Sequence, residues 1–244
     1  MERGEYGKLA DVEDRMWWFR GLHANLIAAW RGAGGGRLLL DAGCGTGGLL
    51  ARLAAEAPAS LRCGIELDPD ACRVARDKSN AAIAAASVDR LPFADRSFDA
   101  IFSADVLCHR GVDERAALAE FRRCLKERGA LVLNLPAYRW LYSTHDAAVD
   151  NARRYARGEV VALLAEAGFA DIRAGYWNCI LFPLMVARRK LGSALGASGA
   201  SDVALLPAPL ERLFVACLAL EGGLRSAGLR FPFGGSILAV AVRP

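Results

Sequence analysis

No Cys-x-x-Cys pair occurs in this sequence. The seven cysteines, at 44, 63, 72, 108, 124, 179 and 217, form an odd and scattered set, which argues against a disulfide framework and a structural zinc site and leaves buried free thiols. Charge of one sign is equally scarce. A formal net charge of +4 over 244 residues, spread along the chain, is not the dense basic stripe interleaved with aromatics that nucleic-acid binding requires. No apolar run reaches the roughly 18–20 residues of a bilayer-spanning helix. Met1-Glu2-Arg3-Gly4-Glu5 places acids where a secretion signal has a basic start and an apolar core, so a cytoplasmic location is expected. Internal repeats and low-complexity tracts are absent.

What is present suits one large domain with a substantial core, since 54% of residues are hydrophobic and 24% charged. Residues 9–31 have helical spacing (Leu9, Val12, Met16, Phe19, Leu26, Ile27) up to the break at Gly32–Gly36. A buried strand over 37–41, a glycine-rich turn and a helix over 47–57 closed by Pro58 form a first strand-turn-helix unit. A second unit is a strand over 62–66 and a helix from Pro69. Strands are then expected over 82–87, 98–103 and 130–135, with a helix over 114–127 before the last of these. A helix over 159–167 stops at Gly168, and strands over 169–177 and 236–242 follow. Strands alternating with helices imply a mainly parallel sheet.

The turn between the first strand and helix reads Asp41-Ala42-Gly43-Cys44-Gly45-Thr46-Gly47-Gly48. Glycines at 43, 45 and 47 let backbone bend sharply and approach a flat ligand without side chains in the way. Gly43, Gly45 and Gly48 also satisfy the dinucleotide pattern, so the glycines alone leave the ligand open. Asp41 points one way: a carboxylate ahead of the first glycine suits a ligand carrying an ammonium and a sulfonium and fits poorly beside a pyrophosphate. Glu66 ends the second strand, where it can accept from both hydroxyls of a ribose, with Leu67 beside it and Asp68 as a second acid. Ser87-Val88-Asp89 follows the third strand, where a small polar group and an amide can read an adenine edge while Val88 covers its face. A plain turn is the alternative reading of these residues.

With Leu91-Pro92-Phe93-Ala94-Asp95-Arg96-Ser97-Phe98-Asp99 before the fourth strand, the three motifs in this order and spacing resemble class I methyltransferases dependent on S-adenosyl-L-methionine. The resemblance covers residues 37–136. It implies an α/β fold, a doubly wound seven-stranded Rossmann-like sheet of order 3-2-1-4-5-7-6 with ligand at the carboxyl ends of the strands, and Ser103 near the methionine moiety. It also implies S-adenosyl-L-methionine as cofactor and S-adenosyl-L-homocysteine as product. Relatives carry an acid where this chain has Ser87, which shifts the adenine contact to Asp89 or to backbone amides. Met16–Arg20, Asp105–Arg110 and the stretch from Pro136 through Asp146 are similar to an uncharacterised bacterial group associated with glycolipid or surface-polysaccharide pathways. In the plain architecture the last two strands form a short-linked hairpin, so residues 179–234 read as a helical insertion. That divides the chain into a lead-in over 1–36, a core over 37–178 and 235–244, and the insertion.

Methyl transfer is an in-line displacement, so the protein must align the nucleophile and, for a hydroxyl acceptor, take its proton. Of the three histidines, His109 and His145 follow predicted strands on the ligand side, and His23 on the N-terminal helix reads as structural. His145-Asp146 opens a polar loop that continues to Asn151, Arg153, Arg154 and Tyr155. There an arginine can hold a phosphate or carboxylate and Tyr155 can stack or donate. A histidine bonded only to its own loop is the alternative. No metal site is expected. Trp17, Trp18 and Phe19 either seal the core or close over the cofactor.

The insertion, with its apolar runs at 180–186 and 210–220, reads either as a cap on the sheet or as a greasy tunnel or membrane-surface patch near Arg188-Arg189-Lys190. The acceptor expected is small or lipid-linked, methylated at oxygen ahead of nitrogen or carbon. A nicotinamide-dependent oxidoreductase sharing the glycine turn and Glu66, and a non-catalytic binding or membrane-associated protein, are the competing readings. Oligomeric state is not legible.

Overall fold

The computed structural model describes Ala10, residues 12–194 and residues 205–244. Leu9, the Met1–Glu5 stretch and the side chain of Lys190 lie outside the described residues. Helix α1 (Trp17–Gly32) starts later than the apolar spacing suggests, because the chain turns over residues 13–16. The near-continuous apolar run Leu-Leu-Leu-Asp-Ala suits a strand covered on both faces and forms β1 (Leu38–Ala42). The glycine turn leads into α2 (Gly48–Glu56), followed by β2 (Leu61–Glu66) and α3 (Pro69–Ser79). Asp68 caps α3 by accepting the amides of Asp70 (2.8 Å) and Ala71 (3.0 Å), with Pro69 at the first helical position.

After β3 (Ala82–Ala85) and β4 (Phe98–Ala104), α4 (Glu114–Cys124) is capped by Asp113. This helix ends three residues before the sequence-based boundary at Glu127. Leu125 pairs with Phe98 and returns the chain to the sheet, so β5 (Leu125–Pro136) absorbs the expected end of the helix. A short α5 (Thr144–Ala148), α6 (Arg157–Glu166) and β6 (Ala170–Trp177) follow, then α7 (Phe182–Ala194), α8 (Ala208–Ser226) and β7 (Ser236–Val242).

The strands form one seven-stranded sheet of order β3-β2-β1-β4-β5-β7-β6. Only β7 runs against its neighbours: it pairs antiparallel with β5 and β6, whereas β3 through β5 are parallel. Alternation along the strands divides the core between the two faces. Leu39, Phe102 and Val132 pack with α1, α2 and Leu218 of α8, while Leu40, Ile101 and Leu133 pack with α4 and α6. Among the described residues two helices therefore stand between β6 and β7, and α8 docks on α1. Trp17 sits edge-on against Phe214 (5.3 Å between centroids), and Arg225 donates to Asn25 at 2.9 Å.

Candidate active site

Backbone geometry builds the first part of the site. Gly43 and Gly47 adopt left-handed conformations, φ 86° and 85°, which side chains resist. A Cβ on Gly47 would stand 2.8 Å from the Ala75 Cα, and one on Gly43 would run into Val106. The turn therefore stays open at the carboxyl end of β1, with Gly43, Cys44 and Gly45 on the wall of a cavity of about 570 Å³.

Three carboxylates face this end of the cavity: Asp41, Glu66 and Glu13. Glu66 accepts the amides of Gly45 (3.0 Å) and Leu67 (2.8 Å), which ties the turn after β1 to the end of β2. Glu13 accepts from the Thr46 hydroxyl (2.6 Å) and Lys78 Nζ (3.0 Å), so the segment before α1 is strapped across the glycine turn. Asp41 is 3% exposed and accepts no hydrogen bond among the described residues. Burial, and then the neighbouring Glu13 and Glu66, push its carboxyl up to about 8. A buried acid without a donor, flanked by two more acids, is built for a cation and would repel a pyrophosphate. The sulfonium and ammonium of S-adenosyl-L-methionine fit this requirement, and the open glycine cradle admits the ligand backbone to backbone.

Beyond the acids the cavity passes the ends of β4 and β5. Asp105, which sequence reasoning did not single out as a site residue, stands on its wall at φ 55°. Both carboxylate oxygens accept from Asn134 Nδ2 (3.0 and 2.9 Å), and Asn134 Oδ1 in turn accepts from Trp177 Nε1 (2.7 Å). Burial raises the Asp105 carboxyl to about 7 although Asn134 and Arg154 pull the other way. The available signal was positional: an acid directly after a parallel strand on the ligand side.

His109 and His145 both line the cavity. Burial lowers the His109 pKa, and its Nδ1 has no partner among the described residues, so the ring is neutral near pH 7 and able to accept a proton. His23 lines the cavity too; burial holds it down at about 3. Trp18 contributes to the wall and stacks on Trp177 (4.8 Å, 17°). Asn178, left-handed at φ 60° and fully buried, adds an amide whose oxygen and nitrogen have no partner among the described residues.

Other expected site residues sit elsewhere. Asp146 is 0% exposed and bonded by the Ser143 amide (2.9 Å) and Arg154 Nε (2.9 Å), and Arg154 also donates to the Ala137 carbonyl. Burial alone would raise the Asp146 pKa, but Arg154, Arg189 and the Ser143 amide together outweigh it and hold the carboxyl low. This pair braces the loop after β5, with Arg154 at the cavity wall and Asp146 behind it. Tyr155 donates its hydroxyl toward Leu107 O (3.0 Å) and Glu114 Oε1 (2.6 Å), off the cavity. Ser103 donates to the Ala42 carbonyl (3.1 Å) inside the sheet. Gly47 turns the chain into α2, and Ser87, Val88, Asp89 and Leu67 flank the acid end without lining the cavity. Among the described residues no three His, Cys, Asp or Glu side chains gather as metal ligands.

The comparisons with known proteins agree with this geometry. Residues 40–133 match the family model described as a methyltransferase domain. The malonyl-[acyl-carrier protein] O-methyltransferase of Geobacter sulfurreducens is 30% identical over 183 residues, 68% of each chain. Among solved structures, a Thermotoga maritima SAM-dependent methyltransferase superposes with a TM-score of 0.64 at 17% identity, covering 99% of this chain and 96% of its own. A phosphoethanolamine N-methyltransferase of Haemonchus contortus, in complex with S-adenosyl-L-methionine, gives 0.59 at 18% identity, covering 90% and 52%. The chain belongs to the class I S-adenosyl-L-methionine-dependent methyltransferases, with that compound as its cofactor.

Proposed function

We propose that this enzyme methylates an oxygen of a small or lipid-linked acceptor, within the glycolipid or surface-polysaccharide chemistry that its sequence resembles. The observation that carries the reading is Asp105: a carboxylate with a pKa near 7, fixed by Asn134, between the acidic end of the cavity and the apolar end formed by α7 and α8. Bound there, the cofactor supplies an electrophilic methyl group. Asp41, the Gly43–Gly45 backbone and Glu66 hold it, and Leu67, Val88 and Asp89 take the adenine. The Asp89 Oδ1 is buried without a partner among the described residues, which supports acceptance from an adenine amino group. Asp105 accepts the proton of an acceptor hydroxyl, and His109 and His145 on the same wall hold and relay protons. Arg154 and Asp146 fix the wall behind them.

The described residues of 179–234 form the acceptor entrance and a peripheral membrane contact in this reading, with those of 1–36 as the cap over the cofactor. Support for an oxygen acceptor carried on a larger group comes from the Geobacter relative, which is named for methylating a carrier-bound malonyl group.

The test is transfer of labelled methyl into lipid extracts and carrier-linked acyl groups, with base treatment separating esters from ethers. We expect a rate that rises with pH through about 7 and then levels, the direction required of a base that must lose its proton. Asp105→Asn should lower kcat by about 10²–10⁴-fold and remove that limb while cofactor affinity holds. Cofactor binding without transfer to any fraction sinks the enzymatic reading, and a rate indifferent to Asp105→Asn removes Asp105 as the base.

A further inference from the structure

Helix α8 is turned inside out in its charges. Its two carboxylates point inward: Glu211, 8% exposed, accepts the Trp17 amide at 2.6 Å, and Glu221, 2% exposed, accepts the amides of Cys179 (2.7 Å) and Ile180 (3.2 Å). Leu218 is buried against the sheet, but three other leucines point outward. Leu213, Leu220 and Leu224 are 54%, 60% and 39% exposed and project within about 40° of one another at 100° per residue. Soluble helices normally show the reverse.

The surrounding surface continues the pattern. Ile180 and Leu184 are exposed at the start of α7, as are Leu229 and Phe233 after α8. Among the described side chains of residues 179–234 no carboxylate is exposed, and the exposed charges are arginines, at 188, 212 and 230. An apolar face whose described exposed charges are of one sign, with Glu211 and Glu221 withdrawn into the fold, matches a surface that is both apolar and anionic. The cavity opens on this face: Leu184 and Leu210 are exposed yet also line the cavity, and Arg188 stands beside them on its wall.

We infer that α8 and the start of α7 dock on an anionic lipid bilayer, leucines in the acyl boundary and Arg212 and Arg230 at the headgroups, so that an amphiphilic acceptor passes from the membrane into the cavity between Leu184 and Leu210. This specifies the membrane contact of the proposed function, and its test separates docking from methyl transfer.

The experiment is co-sedimentation of the full chain with phosphatidylglycerol-containing vesicles and with pure phosphatidylcholine vesicles, across a salt series. The comparison protein is Leu213→Glu/Leu220→Glu, two positions off the cavity wall. Expected are binding to the anionic vesicles at least tenfold stronger than to the neutral ones, weakening with salt, and at least tenfold loss in the double variant. S-adenosyl-L-methionine binding by the variant, measured by titration, should equal that of the wild type, which shows that it is folded. No sedimentation of the wild-type chain with anionic vesicles overturns the inference, as does equal binding to neutral ones. A dimer in sedimentation velocity that the double variant dissociates, without vesicle binding, overturns it in favour of a second copy of the chain. In each of those outcomes methyl transfer to a detergent-dispersed acceptor still stands or falls by itself.

Discussion

Asp41 keeps a proton at neutral pH while no cation is bound, because burial and two neighbouring acids raise its pKa to about 8. A sulfonium or ammonium beside it favours the ionised form, so binding at pH 7 should release a proton. Titration calorimetry of S-adenosyl-L-methionine in buffers of different ionisation enthalpy checks this. The observed enthalpy should vary with the buffer for the wild-type chain and much less for Asp41→Asn, whose affinity should fall at least tenfold. A buffer-independent enthalpy in the wild type would mean that Asp41 is already ionised. Asp41 was legible because the glycine turn that gives it meaning follows directly in sequence. Glu13 was not, since it meets Thr46 from 33 residues away, and no local pattern announces such a contact.

At the scale of elements, α1 is completed by α8. Met16, at the start of α1, makes no side-chain cap, and the Trp17 amide is taken by Glu211 from 194 residues downstream. Removing a cap costs about 1–2 kcal/mol, so Glu211→Ala should lower Tm by roughly 2–8 °C in a chain of this size. Hydrogen exchange should be fastest to rise at the Trp17 amide. An unchanged exchange rate there would show that water replaces the cap. Most elements were readable from periodicity and from helix-start residues such as Pro69, whereas the cap that Asp68 makes was not read. The boundary at Cys124 was not, because the four residues that follow, Leu125–Arg128, have helical composition and only pairing with β4 draws the chain into the sheet.

Over the whole molecule the two raised carboxylates, Asp41 and Asp105, set a pH dependence. Their folded pKa values, about 8 and about 7, lie above the unfolded aspartate value near 4, so the folded protein binds more protons than the unfolded one between those limits. Their contribution to stability is complete below the unfolded pKa and declines as pH rises toward 8. Each group contributes a loss of roughly 1.4 kcal/mol per pH unit within its window, or about 3–5 °C in Tm. Thermal melts from pH 5 to 8 should therefore show a steeper decline for the wild type than for Asp41→Asn, with saturating cofactor flattening the wild-type curve. Parallel curves would place the Asp41 pKa in the ordinary range.

The sequence by itself determined the parallel sheet, the glycine turn and the acids of the cofactor end, because alternation, turn chemistry and motif spacing act over a few residues and leave a local record. Only the closed fold settled which of the polar residues after β4, β5 and β6 face the cavity. Asp146 and Tyr155 are held in the scaffold by Arg154 and Glu114, whereas Asp105, His109 and Asn178 reach the wall. It also decided that α8 buries its acids and exposes Leu213, Leu220 and Leu224, since the partners that draw those acids inward, Trp17, Cys179 and Ile180, come from other parts of the chain and only the closed fold brings them together.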